Sequence, residues 1–171
     1  NQHRRNKMIY SGIGSRQTPE HILGIMSKIG KSFAEKGLLL RSGGAIGADT
    51  AFEIGCNAVK GKKEIYYAAN NKGIIVTEDI MQQALVMAGQ VHPAWHRCSD
   101  YAKRLHARNC MQILGRNLDE PTDFVVCWTK DGGPTGGTGQ AIRLAMSRDI
   151  KIYNLYFDRH LQELREFYRS L

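Results

Sequence analysis

Three clusters of glycine and hydroxyl residues are the parts of this chain whose types and spacing can do chemistry. They are Gly12-Ile13-Gly14-Ser15-Arg16, Ser42-Gly43-Gly44-Ala45-Ile46-Gly47, and the stretch from Gly132 to Gly139 that contains Thr135, Gly136, Gly137 and Thr138. The chemistry they suit is capture of an anion. Without a Cβ the backbone can bring several N–H groups close to phosphate oxygens, and a helix that follows adds the positive end of its dipole. Ser15, Ser42, Thr135 and Thr138 add hydroxyl donors. Arg16 and Arg108 offer the planar fork of donors that fits phosphate, although Arg108 also suits a structural ion pair. Asp49 reads equally as a helix-start carboxylate and as a ribose acceptor, and Glu53, four residues on, shares its helical face.

Such loops work only if strands and helices hold them on one edge, and the rest of the sequence supplies that alternation. Apolar runs at 7–13, 38–41, 64–68, 123–129 and 150–156 read as strands, the run at 123–129 apolar enough for a central one. Between them lie amphipathic stretches. Thr18 followed by Pro19 reads as an N-cap with proline at the first helical position, and Ile22, Ile25, Ile29 and Phe33 then recur at helical spacing as far as Gly37. Further helices are predicted from Ala48 to Cys56, Ile80 to Ala88, Ser99 to Leu114, Gln140 to Ser147 and Arg159 to Tyr168. Strand, crossover helix, strand is the pattern of a mainly parallel α/β sheet in one domain spanning 1–171. All three glycine clusters follow strands, so a parallel sheet gathers them at its carboxyl edge, where open α/β sheets bind ligands.

Composition narrows the partner. Lys plus Arg outnumber Asp plus Glu by 24 to 16, a net charge of +8, which favours an anionic partner such as a nucleotide or single-stranded nucleic acid. No apolar run is long enough to span a bilayer, so no membrane partner is expected. The basic first residues lack the apolar stretch of a secretory signal and read as a tail over 1–6, which with the scattered Cys56, Cys98, Cys110 and Cys127 gives a cytoplasmic expectation with reduced thiols. His92, His96 and Cys98 are plausible metal ligands by type, but their spacing fits no zinc motif, so neither a metal nor another cofactor is expected. Trp95 reads either as a platform for a nucleobase or as a core residue, and Trp128, bordering the third glycine cluster, reads as a second platform.

The Gly12–Arg16 cluster, the Ser42-Gly43-Gly44-Ala45-Ile46-Gly47-Ala48-Asp49 stretch, the Arg108-Asn109 pair and Thr135–Gly139 together resemble the SLOG superfamily, and within it the DprA/Smf-like proteins. The likeness runs over roughly residues 8–156. It implies an α/β Rossmann-like three-layer sandwich with a mainly parallel sheet of about five or more strands, and a pocket for a nucleotide, an ADP-ribose-like ligand or single-stranded DNA. It also implies a paired, homo-oligomeric domain; small stand-alone members are often phage-encoded, where sequestering a nucleotide signal is a natural use. The related LOG phosphoribohydrolases split an N-glycosidic bond with an acidic residue behind their glycines. This chain has Gln140 or Ala141 there, which turns the expectation toward binding, with Asp49 and Glu53 left as weak catalytic candidates.

Overall fold

Alternation along the most apolar run decides which helices lie where. Phe124, Val126 and Trp128 point into one core while Val125 and Cys127 point into another, so both faces of this strand are covered. The computed structural model describes residues 8–171; the tail read at 1–6, and Lys7 at the start of the first predicted strand, lie outside the described residues. The elements are β1 Ile9–Gly12, α1 Glu20–Glu35, β2 Leu39–Ser42, α2 Ala48–Ala58, β3 Lys63–Ile65 and α3 Glu78–Val91. After these come a 3-10 turn Trp95–Arg97, α4 Asp100–Leu114, β4 Phe124–Cys127, α5 Gly136–Ser147, β5 Lys151–Asn154 and α6 Asp158–Arg169.

The strands form a single five-stranded sheet in the order β3-β2-β1-β4-β5, every pairing parallel. Helices α1, α2 and α6 cover one face and α3, α4 and α5 the other, which makes the three-layer α/β sandwich of the Rossmann-like class. The first core is aromatic at its centre: the Tyr10 ring stacks on Phe124 at 5.6 Å and meets Phe33 at 5.0 Å. The second is built from smaller side chains, among them Ala84, Ala88, Ala107, Ala141 and Ala145, which let three helices crowd onto the sheet.

Several boundaries differ from those predicted. The cap of α1 is Pro19, in extended conformation, rather than Thr18; the Thr18 hydroxyl instead donates to the Ser15 carbonyl and folds the loop before the helix. Strand β3 stops at Ile65, and Tyr66 makes only an isolated bridge with Gly73. Helix α3 is longer than the apolar period suggests, because the Thr77 hydroxyl caps it by accepting from the Ile80 N–H at 3.3 Å. Helix α5 starts at Gly136, ahead of the predicted Gln140, so Gly136, Gly137 and Thr138 are its first turn rather than a loop. Glycine's poor helix propensity hides that start from a reading of the sequence.

Helices α1 and α2 meet backbone to backbone. A Cβ on Gly55 would collide with the Ser27 carbonyl oxygen, and one on Gly30 with that of Phe52. Neither neighbour is a flexible side chain that can move aside. Gly24, also on α1, has nothing within 4 Å of a Cβ position. Gly55→Ala is therefore expected to lower stability by about 2 kcal/mol or more by overpacking, whereas Gly24→Ala raises it by up to about 1 kcal/mol through helix propensity. Urea unfolding of the two variants against the parent chain measures both.

Candidate functional site

Strand order reverses direction between β1 and β4, and the crevice at their carboxyl ends is where an open α/β sheet receives a ligand. The loop after β1 is zipped to the segment after β4: the Ile13 N–H donates to the Val126 carbonyl at 3.1 Å and the Ser15 N–H to the Trp128 carbonyl at 3.2 Å. The β2 loop is stitched to β1 by the buried Ser42 hydroxyl, which donates to the Gly12 carbonyl at 2.6 Å. Loop β2–α2 also touches loop β1–α1, since the Gly47 Cβ position lies 3.7 Å from the Arg16 Cα. All three predicted glycine clusters thus share one edge.

Behind that edge sits a polar knot around Gly43. Asp49, in the first turn of α2, is buried, and its Oδ2 accepts from the Ala45 N–H at 3.1 Å. Burial pushes its carboxyl up to about 6, opposed by the positive charge of Arg108 and the Ala45 N–H. From α4, Arg108 donates through Nη1 to the Gly43 carbonyl at 3.0 Å. A Cβ on Gly43 would crowd Gln112 Nε2, Asp49 Oδ2 at 2.8 Å and Arg108 Cζ at 3.1 Å, so any other residue there would displace these polar groups. Two donors in this knot, Gln112 Nε2 and Arg108 Nε, are buried with no acceptor among the described residues. Desolvation lowers the Arg108 pKa; Asp49 raises it again, and the nearby Arg16 adds to the lowering.

The third cluster forms the start of α5. Thr135 is the N-cap, yet its hydroxyl donates to Asp131 Oδ1 at 2.9 Å rather than capping the helix. The same oxygen accepts from the Gly133 N–H at 2.9 Å, and these bonds hold the exposed Asp131 carboxyl below its usual range. Asn109 donates through Nδ2 to the Gly137 carbonyl at 3.1 Å and so fixes the first turn of α5 against α4. Gly136 has φ 66°, which explains its glycine. Gly137 needs no such backbone, and a Cβ there would stand in open space.

Other predicted residues take different roles. Gly12 and Gly14 are packing glycines: their Cβ positions fall 2.6 Å from the Phe52 ring and 2.5 Å from Ala48 Cβ. Gly44, at φ 72°, has its Cβ position against the Tyr67 ring. The Ser15 hydroxyl accepts from the Gln17 N–H at 3.0 Å within its own turn, and Arg16 is exposed at the rim. Thr138 is half-buried in the first turn of α5. Glu53 is not part of the site; its carboxylate pairs with Lys63 at 2.7 Å. Trp128 lies in the aromatic core because it continues the Phe124, Val126 alternation, so it offers no face for stacking. Trp95 packs at the corner of α3 and α4, its ring against Gly89 and 6.3 Å from that of His106. At Gln140, where the hydrolases' acid would stand, the amide donates to the Ala88 carbonyl at 2.8 Å and accepts from Arg143, a buried structural tie.

Gln112 and Tyr67 were missed. Gln112 announces itself as the polar residue in the run Cys110-Met111-Gln112-Ile113-Leu114, one turn beyond Arg108; Tyr67 carries no such signal. Fold and site together define a Rossmann-like α/β domain with a largely buried polar cluster at the carboxyl edge of β1 and β2. No protein-family model, curated protein or solved structure matches the chain.

The Asp49 carboxyl supplies a pH test. Its folded pKa lies above the unfolded value near 3.9, so the folded state holds the proton more tightly and stability falls as pH rises from about 4 to about 6, then levels off. The expected loss is about 2 to 3 kcal/mol relative to Asp49→Asn, which has no proton to lose in that window. Urea unfolding of both proteins across a pH series measures it.

Proposed function

We propose that this chain binds a nucleotide or nucleotide-derived ligand, of ADP-ribose or nucleoside phosphate type, at the β1/β4 switch point. The phosphate lies over the first turn of α5 and the ribose side lies toward Gly43, Asp49 and Arg108. The observation that carries this reading is Gly137. Glycine is a poor helix former and neither backbone conformation nor packing accounts for this one, and unlike Gly24, which shares that lack, Gly137 stands in a helix first turn just beyond the switch-point strand β4. Room for a ligand to approach the N–H groups of that turn does account for it. The two acceptor-less donors beside Gly43 support an oxygen-rich ligand, and Arg16 and Arg108 supply positive charge on the same edge. The protein then acts by holding such a ligand, sequestering a nucleotide signal as the SLOG likeness implies, and as a cytoplasmic homo-oligomer.

Isothermal titration with AMP and ADP-ribose at physiological salt is expected to show binding. Gly137→Val, which covers the open N–H groups, and Arg108→Ala each lower affinity about tenfold or more, equivalent to about 1.4 kcal/mol. Gly24→Ala leaves it unchanged. Failure of every nucleotide to bind, or indifference to both site variants, overturns the reading.

One observation favours a second reading, N-glycosidic hydrolysis of a nucleoside monophosphate. A carboxyl near 6 can give or take a proton at neutral pH, and Asp49 is the buried carboxyl of this site. Incubation with AMP is then expected to release adenine at a rate that follows the Asp49 ionisation and is lost in Asp49→Asn. Binding without release of free base removes the hydrolase.

A further inference from the structure

The segment left without a role joins α3 to α4, and the structure draws three of its side chains into one cluster. His92 is the C-cap of α3, Cys98 closes the 3-10 turn, and His106 stands in the second turn of α4. One ligand atom from each lies within 4.8 Å of the other two. His96, which the sequence suggests as a ligand, is exposed on the turn and lies outside the cluster; His106 takes its place.

We propose that His92, Cys98 and His106 form a three-ligand site for a zinc-type divalent transition metal, separate from the nucleotide cleft. The spacing supports it. In a tetrahedral zinc centre with Zn–S about 2.3 Å and Zn–N about 2.05 Å, sulfur and nitrogen stand about 3.6 Å apart. Cys98 Sγ and His92 Nε2 are 3.7 Å apart, and the His106 ligand atom, within 4.8 Å of both, needs to close by at most about 1.5 Å. The environment supports it as well. His106 Nδ1 is buried with no hydrogen-bond partner among the described residues, and the Cys98 sulfur has only long contacts, to His92 and to the Ala94 carbonyl at 3.7 Å. The Trp95 ring, 6.0 Å from His92 and 6.3 Å from His106, walls the cluster on one side.

The donor set selects the ion. One thiolate and two imidazoles suit zinc, cobalt or copper and disfavour calcium and magnesium, which take oxygen ligands. Three protein ligands leave a fourth position for water or another ligand. Loading has a local signature. His92 Nδ1 accepts from the Ala94 N–H at 3.0 Å, so the ring proton sits on Nε2, facing Cys98. A metal on Nε2 displaces that proton, Nδ1 becomes the protonated nitrogen, and the Ala94 N–H must turn away from it. The Cys98 thiol proton is released to solvent as the thiolate binds.

Cobalt(II) titrated into the EDTA-treated 171-residue chain tests this. The expected result is a single equivalent bound, with a sulfur-to-cobalt charge-transfer band and the intense visible bands of a four-coordinate centre, all displaced by zinc. Cys98→Ser abolishes the charge-transfer band, and His92→Asn and His106→Asn each weaken binding about tenfold or more, while His96→Asn does not. In nitrogen-15 spectra, zinc shifts the Ala94 amide and moves the His92 ring proton to Nδ1. The parent chain decides even where a variant fails to fold: cobalt bound without a thiolate band overturns the site. So does a band that survives in folded Cys98→Ser.

Discussion

Backbone contact between α1 and α2 is the constraint on which the carboxyl edge depends. Gly30 and Gly55 let the two helices touch through main-chain atoms, with the Ser27 hydroxyl donating to the Ala51 carbonyl at 3.0 Å across the seam. At that separation Phe52 slides beneath Gly12 and Ala48 rests on Gly14. The two loops that leave β1 and β2 are therefore drawn together, and Asp49, one residue beyond Ala48, is buried at their junction. Moving the helices apart by a methyl group would open this junction, because protein interiors transmit such strain rather than absorb it.

That constraint explains why the glycines of the first cluster were readable as glycines but not for their purpose. Absence of a Cβ serves equally to admit a phosphate and to admit a neighbouring helix, and the sequence carries the same letter for both. Only the neighbour distinguishes them: Phe52 and Ala48 stand over Gly12 and Gly14, the polar knot surrounds Gly43, and open space lies over Gly137. The alternation of strands and helices was legible because its periods are local, as was the placing of Ser42 and Asp49 on one edge, which parallel topology enforces, whereas Arg108 and Asn109, inside α4, were tied to that edge only by the family resemblance. For Trp128 the signal was present, since a period of two from Phe124 assigns it to the core. For Glu53 it was absent, because its partner Lys63 lies across a turn whose path the local pattern does not reveal.

His106 marks another limit of legibility. A regular spacing is what a reader of sequence can test, and His92, Cys98 and His106 have none, since a capping residue, a 3-10 turn and a helix each contribute one side chain. His96 is the histidine the sequence offers with His92 and Cys98. The turn Trp95–Arg97 carries it outward, and the first turns of α4 bring His106 back against His92, ring centroids 4.6 Å apart.

Two arginines, one wholly and one partly buried, show how the same physics separates scaffold from site. Arg41, wholly buried on β2, donates through Nε to Glu64 at 3.2 Å, through Nη2 to Glu120 at 2.8 Å and through Nη1 to the Glu120 carbonyl. Gly115, at φ 82°, leaves the room that the guanidinium occupies. Such a charge is matched on every side, and nothing in its surroundings calls for another partner; removing either carboxylate would leave an uncompensated charge in the interior. Arg108 is the opposite case. It meets a carbonyl and the field of Asp49, but its Nε lacks an acceptor, as does the adjacent Gln112 Nε2. Native interiors rarely leave buried donors unpaired. The deficit lies beside Gly43, in the loop that leaves β2, and it is of the sign that a further hydrogen-bond acceptor would correct.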